Sequence, residues 1–269
     1  MGRTNRLLIV VPYRDRAVHL AEFVPHVRAY FARDKLDRAI DYRVLVVEQT
    51  PGLPFNGGAL KNAGFLIGAS ESDYTCFHDV DYLPIWADYS WVDVPTPLVW
   101  HGAEVRPVAP GQSNCYVRHD LRRFFGAAVI VPNEALRTAN GYSNLYWGWG
   151  YEDEDLKARF LAAGIALGRR KGTYRALDHV NAGYLATGKP SAIAEANRAF
   201  FEARQAAGIA TASDGLSTAA FDIVERKRLA DPQPERDAAW EIVTVSLHGR
   251  PSAAQARALA FDSASVGVA

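Results

Sequence analysis

Three short apolar runs, separated by stretches of a different periodicity, constrain this chain more than any other feature. Leu7-Leu8-Ile9-Val10-Val11 is rich in branched residues and is closed by Pro12. Tyr42-Arg43-Val44-Leu45-Val46-Val47 and Tyr74-Thr75-Cys76-Phe77-His78 repeat the pattern. Runs of this length and composition read as buried strands. Between them apolar residues recur at helical spacing. Within residues 19–33 they are Leu20, Phe23, Val24, Val27, Tyr30 and Phe31, with Pro25 expected in the first turns; within residues 56–67 they are Leu60, Ala63, Gly64 and Ile67. Strand–helix–strand–helix–strand predicts an α/β domain built on a parallel sheet. Ligands of such sheets bind beyond the carboxyl ends of the strands. Residues 12–16, Glu48-Gln49 and Asp79-Val80-Asp81 fall there.

Farther along, the pattern loosens. Residues 86–112 are rich in Pro, Trp and Val and show weak periodicity. Residues 125–132 read as a strand, and 134–140 as a short helix ended by Gly141. Residues 152–164 read as a helix whose acidic start suits the positive end of the helix dipole. A further helix is expected over 191–207, closed by Gly208, and a late strand over 240–247. With no repeat and no clean linker, one domain over residues 1–250 is expected, followed by an Ala- and Ser-rich tail, 251–269, with a disordered end.

Composition narrows the function classes. The 269 residues carry 30 Lys+Arg against 30 Asp+Glu, a formal net charge of +0, which argues against a dedicated nucleic-acid binder. Two cysteines, Cys76 and Cys115, allow at most one bridge, so this is no disulfide scaffold. No apolar run approaches the roughly 18 residues of a membrane span, and the first six residues lack an apolar signal region behind them. The expectation is a soluble, cytoplasmic protein.

Four motifs carry candidate chemistry. Asp79-Val80-Asp81, read as extended chain, sends its two carboxylates to opposite faces. One then reaches a divalent cation of the Mg²⁺ or Mn²⁺ class and the other a neighbouring hydroxyl, the plainer alternative being a solvated acidic turn. In residues 146–155, YWGWGYEDED, aromatic rings suited to sugar faces alternate with glycines that let a loop hinge. The alternative is a Trp-rich core corner followed by capping acids. Helical spacing puts Glu152 and Asp155 on one face and sends Asp153 elsewhere. In Asp178-His179-Val180-Asn181 the imidazole is either a structural group or a further metal ligand. Arg14 and Arg16 suit a phosphate or a base edge, and Phe55 a base-stacking role; a solvated loop and a core anchor are their plain readings.

In chain order, VPYRDR (11–16), DYRVLVVEQ (41–49), FNGGALKNAGF (55–65), FHDVDYLP (77–84), FFGAAVIVP (124–132), NGYSNLYWGWGYEDED (140–155), LDH (177–179) and DGLST (214–218) resemble the beta-1,4-galactosyltransferase family, glycosyltransferase family 7. The resemblance implies a GT-A fold, a Rossmann-like nucleotide half joined to an acceptor half, with a mixed sheet flanked by helices. It implies inverting transfer of a hexose, galactose foremost, from a UDP-sugar to a hydroxyl of a saccharide or glycolipid acceptor. A beta-1,4 linkage in polysaccharide or glycolipid synthesis is expected, with Mn²⁺ as cofactor and Mg²⁺ as the second candidate. By position it implies Asp153 as catalytic base and Asp81 and His179 as metal ligands. Pro12, Tyr13, Arg14, Arg16, Phe55, Asp79, Phe124, Trp149, Gly150 and Glu152 would face the donor, and Glu154 and Tyr151 the acceptor.

The chemistry is consistent with one base and one metal. A sugar hydroxyl needs its proton taken, while a diphosphate leaving group needs its charge neutralised rather than a proton. A closing Trp149 loop would exclude water. This chain departs from the family's pattern at several positions. Ala176 stands where many relatives have a metal-binding Met, and Asn181 where others have a second His. Phe124 replaces a donor-facing Tyr, Ala127 a Gly, and Tyr151 a Gly or Arg. UDP-GalNAc or UDP-GlcNAc is the alternative donor. The rival classes are a catalytically silent sugar-nucleotide or glycan-binding module and a nucleotide-sugar hydrolase.

Overall fold

The structure, a computed structural model, describes residues 5–33, 40–109, 112–177, 189–208, 213–230 and 240–266, and side-chain surroundings for these except 104–119 and 264–266. The apolar runs form β1 (Arg6–Tyr13), β2 (Asp41–Gln49) and β3 (Tyr74–His78), joined by α1 (Ala17–Arg33) and α2 (Gly57–Gly68). β1 pairs in parallel with β2 on one side and β3 on the other. The order of strands therefore reverses between β1 and β3. A crevice opens beyond their carboxyl ends at such a reversal.

The same sheet is extended by β5 (Thr96–Pro97), β8 (Ala128–Pro132), β10 (Phe221–Arg228) and β11 (Trp240–Leu247), in the order β10-β11-β2-β1-β3-β8-β5. β11 runs parallel to β2, while β8 runs antiparallel to β3. Alternation along β1 feeds both faces of this mixed sheet. Leu7, Ile9 and Val11 join Phe23 and Val27 of α1, and Leu8 and Val10 join Leu60, Ala63 and Phe65 of α2. Gly64 and Gly68 make the second contact close. A Cβ at Gly64 would stand 2.4 Å from Val10 and 2.8 Å from Val47.

A second sheet, in the order β4-β9-β6-β7, contains β4 (Tyr82–Trp86), β6 (Val99–Ala109), β7 (Gln112–Asp120) and β9 (Gly172–Ala176). The weakly periodic stretch 86–112 thus holds β5 and most of a long hairpin. Helices α3 (Asn133–Thr138), α4 (Glu152–Ala162) and α5 (Ala192–Ala206) come after β8.

Several boundaries differ from expectation for local reasons. Pro25 lies in the middle of α1, on its exposed side, not in its first turns. The strand expected from residue 125 begins at Ala128, because Ala127 takes a left-handed φ of 63°. Asn140, at φ 58°, already turns left-handed after α3, one residue before Gly141. Strand β10 escaped notice because it is an edge strand exposed along most of its length and shows no alternation. The stretch read as a tail contains a helix, α6 (Ala253–Val266), packed on α5. Gln255 is buried there and donates to Leu145 O at 2.9 Å and Asn197 Oδ1 at 2.8 Å. Among the described residues no helix is long and apolar enough to cross a membrane.

Candidate active site

The crevice beyond β1 and β3 is where the singled-out residues gather. Asp79-Val80-Asp81 is a turn rather than extended chain, with Tyr82 N donating to Asp79 O at 3.3 Å. Its acids stand where the chain leaves the first sheet for the second. Asp79 N donates to Ala127 O at 2.7 Å, so the left-handed corner before β8 holds this turn from the other side. Behind it, His78 is 1% exposed and bonds Asp79 O through Nδ1 (2.9 Å) and Tyr89 Oη through Nε2 (2.9 Å). Burial pushes its imidazole down to about 4. A neutral ring must donate from Nδ1 to the carbonyl and accept at Nε2 from the phenol.

The fourteen-residue run 142–155 closes the crevice from above. It is clamped to α2 by two buried amides of the FNGGALKNAGF stretch. Asn62 donates to Tyr142 O and accepts from Tyr142 N, at 2.7 and 2.9 Å. Asn56 caps α2 through Ala59 N and donates to Asn144 O at 2.8 Å. Gly148 N donates to Phe55 O at 2.7 Å. The two tryptophans have separate fates. Trp147 is 2% exposed in the core, as the plain reading had it, whereas Trp149 is 37% exposed and faces the cleft. Gly148 at φ 79° makes the turn that separates them, and Gly150 at φ 96° turns the chain again after Trp149. The backbone carbonyls of both tryptophans accept from Asn197 Nδ2 of α5.

The four acids that open α4 also divide, and not as helical spacing suggested. Asp155 is fully buried away from the cleft, accepting from Arg159 Nε at 2.6 Å and Tyr146 Oη at 3.0 Å, with Arg204 Nε at 3.1 Å. Asp214 of the DGLST motif takes up both arginines on its other side, Arg159 at 3.2 Å and Arg204 at 3.0 Å. Glu152 and Asp153, by contrast, face the same cation. Lys61 Nζ of α2 lies 2.9 Å from Asp153 Oδ1 and 3.4 Å from Glu152 Oε1. In the first turn of a helix neighbouring side chains still fan toward a common partner, so the i, i+3 rule fails here.

Asp79, Phe124, Trp149, Gly150, Tyr151, Glu152, Asp153 and Glu154 line one cleft of about 320 Å³, with Pro190, Ala194, Glu195 and Arg198 across it. Burial pushes the Asp153 carboxyl up to about 6, against the pull of Lys61, with Glu152 and Glu154 adding to the rise. Burial also carries Asp79 well above the usual carboxylate range. Tyr151 sits at φ 72° as α4 begins, a strained setting for a residue with a Cβ, and tilts over Phe201 at 5.7 Å. A second group of candidates lies at the end of β1. Tyr13 is buried; Arg14 donates to Leu53 O at 2.6 Å and lies 5.6 Å from the Phe55 ring centroid. Arg16 Nη1 stands 3.4 Å from His19 Nδ1, and Pro12 is buried in the strand.

Oxygen donors dominate this crevice, which suits a hard divalent cation. Asp81 is half-buried, and Leu177 N donates to its carbonyl at 2.8 Å, so the chain leading to His179 departs from beside it. Asp178, His179 and Asn181 themselves lie outside the described residues. Among the described residues no three metal-ligating side chains cluster.

Comparison with known proteins places the chain in a family. Family profiles match residues 3–91 (N-terminal region of glycosyl transferase group 7) and 106–182 (N-terminal domain of galactosyltransferase). The chain belongs to glycosyltransferase group 7. Within this family it is 32% identical over 180 residues to human beta-1,4-galactosyltransferase 7, covering 66% of this chain and 51% of that one. It is 34% identical over 187 residues to a beta-1,4-N-acetylglucosaminyl-transferase of Lymnaea stagnalis, covering 67% and 36%. The chain spans about half the length of the curated relatives it matches. Among solved structures, the catalytic domain of Drosophila beta-1,4-galactosyltransferase 7 with xylobiose superposes with a TM-score of 0.68 at 25% identity, over 91% of this chain and 95% of that one. An Asp-to-Asn mutant of that enzyme, in complex with manganese, UDP-Gal and xylobiose, gives 0.67. The fold of this group 7 member is therefore of the GT-A type.

Proposed function

We propose that this glycosyltransferase moves a hexose, galactose foremost, from a UDP-sugar to a hydroxyl of a saccharide acceptor, with inversion and a beta-1,4 linkage. The observation that carries the reading is Asp153. It is a half-buried carboxyl raised to about 6, set in a cleft that it shares with Asp79, Glu154 and the exposed Trp149. A base of that strength accepts a hydroxyl proton near neutral pH, worth roughly 10²–10⁴-fold in rate. A single base acting on an incoming hydroxyl across from the leaving group yields inversion. Glu152 would hold the donor sugar and Glu154 the acceptor. Tyr13, Arg14, Arg16 and Phe55, at the end of β1, would hold the uridine diphosphate, with Asp79 at its ribose and sugar. Trp149, hinged between Gly148 and Gly150, would cover the donor and keep water out.

Asp81 and His179 would hold the metal, Mn²⁺ before Mg²⁺, which supplies charge neutralisation for the departing diphosphate when bound. Ala176, paired with Tyr82 in the second sheet, adds no ligand. The manganese, UDP-Gal and xylobiose bound by the Drosophila relative make UDP-galactose and a xyloside the first substrates to try. Phe124 is 37% exposed on the cleft and brings no hydroxyl to the donor, and a relative is named for N-acetylglucosaminyl transfer, so UDP-GlcNAc and UDP-GalNAc are the second choice. Cytoplasmic placement belongs to this proposal and is checked by fractionating cells that express the tagged protein.

The deciding experiment is a UDP-sugar panel with Mn²⁺ or a chelator, run on wild type and Asp153→Asn. Transfer that needs metal and is lost in the variant, with donor binding intact, is the expected result. Donor binding without turnover would favour a silent binding module, and fast UDP release without acceptor a hydrolase. Full transfer by Asp153→Asn would sink the base assignment.

A further inference from the structure

Lys61 is a buried cation with no part in the donor, acceptor or metal contacts proposed for the cleft. It is 3% exposed on the second turn of α2, four residues beyond Gly57. The two glycines that open this helix leave it flush against Glu152: a Cβ would lie 3.6 Å from Glu152 Oε1 at Gly57 and 3.6 Å from Glu152 Cβ at Gly58. Lys61 is thus the residue of α2 whose side chain reaches past Glu152. Its ammonium meets Asp153 Oδ1 at 2.9 Å and Glu152 Oε1 at 3.4 Å, and rests 4.7 Å from the centroid of the Tyr142 ring.

We propose that Lys61 is a positioning residue for the transfer reaction, which holds the Asp153 carboxylate ionised and binds its Oδ1 so that Oδ2 is left to take the acceptor proton. The proposal rests on Asp153 being the base. Oδ2 makes no hydrogen bond among the described residues and lies over Gly126, where a Cβ would stand 2.3 Å away. The charges nearest Asp153 are otherwise acidic: Glu152 and Glu154 on its own helix and Asp79 after β3, with the Tyr142 phenol on the segment after α3, while α5 brings Glu195 and Arg198 to the opposite wall of the cleft. Gly126 brings only backbone. Without a cation, burial and this crowding would keep Asp153 protonated at neutral pH and useless as a base. Lys61 itself stays charged. Burial alone would favour the neutral amine, but Asp153, then Tyr142, Glu152 and Asp79, hold it well above the ordinary lysine value.

The test compares wild type, Lys61→Met and Lys61→Gln, the last keeping a hydrogen-bond donor without the charge. UDP binding monitored by calorimetry establishes that each variant is folded. The expected result is that the acid limb of the kcat/KM profile moves up by about 1 to 3 pH units in both variants. Rate at pH 7 then falls by roughly 2- to 100-fold, in step with the shift, and recovers at higher pH, with the KM for donor unchanged there. Placed in an Asp153→Asn background, Lys61→Met should cause no further loss. An unmoved acid limb in the folded variants overturns the proposal. So does a donor KM raised equally at every pH, which would make Lys61 a ligand of the donor diphosphate instead. Retained transfer in Asp153→Asn alone would fell the base reading first, so the two failures are told apart.

Discussion

As the proposed base, Asp153 has to be basic enough to accept a proton and still be unprotonated when the acceptor arrives. Burial raises its carboxyl to about 6 and Lys61 limits the rise. The sign of the pH dependence follows. The working form is the ionised one, so the competent fraction falls as pH drops through that value. For wild type, kcat/KM for donor is expected to fall about tenfold per pH unit below about 6 and to level above it. A pH–rate profile that stays flat through that region contradicts the assignment. The two tryptophans give a second prediction at this scale. Trp147→Ala should cost about 3–5 kcal/mol in a denaturant melt, since it empties a core position. Trp149→Ala should change stability by about 1 kcal/mol or less while transfer is lost. Equal destabilisation by both would mean that Trp149 is also packed in the core. Spacing treated the pair alike, because no local pattern records which way Gly148 turns the chain.

Helix α2 does two jobs through its two faces. One presents Lys61, Asn56 and Asn62 to the run that carries the acids; the other lies on β1 and β2 through Gly64 and Gly68. Gly64→Ala would drive a methyl into Val10 and Val47, and overpacking of this kind costs about 1–3 kcal/mol. Thermal and denaturant melts check it; an unchanged midpoint would show that the helix moves away freely. The helical period of this segment was legible from Leu60, Ala63 and Ile67, but the polar face was not. Asn62 and Lys61 look like solvated residues in sequence, and only the neighbouring run makes them buried partners. In α4 the Asp155–Arg159 pair was readable in principle, being four apart on a helix, yet Arg204 and Asp214 complete that buried cluster from distant segments. A pair read from spacing alone says nothing of which side of the helix is the cleft.

Across the whole molecule, support for the cleft passes through the last helix. Asp262 of α6 accepts from Ala192 N and Ile193 N, the first amides of α5. Gln255 holds Asn197, and Asn197 holds the carbonyls of Trp147 and Trp149. Truncation after Arg250 is therefore expected to lower the melting temperature and to raise the KM for acceptor, because α5 also carries Ala194, Glu195 and Arg198 of the cleft wall. A truncated chain with both quantities unchanged would make α6 a dispensable appendage, as its Ala- and Ser-rich composition had suggested.

What the sequence determined by itself was local or cumulative. The β-branched runs and helical spacings set the parallel α/β opening, and the ordered motifs from VPYRDR to DGLST marked the family and the acids proposed for the site. What the tertiary structure decided was direction and partnership. It turned Asp79-Val80-Asp81 between two sheets, sent one tryptophan inward and one to the cleft, and split four consecutive acids between a buried arginine cluster and a shared lysine. The physical reason is that periodicity reports which face of an element is apolar, whereas burial of a charge is tolerated only where another segment brings its counter-charge. That second segment is adjacent in space and not in sequence.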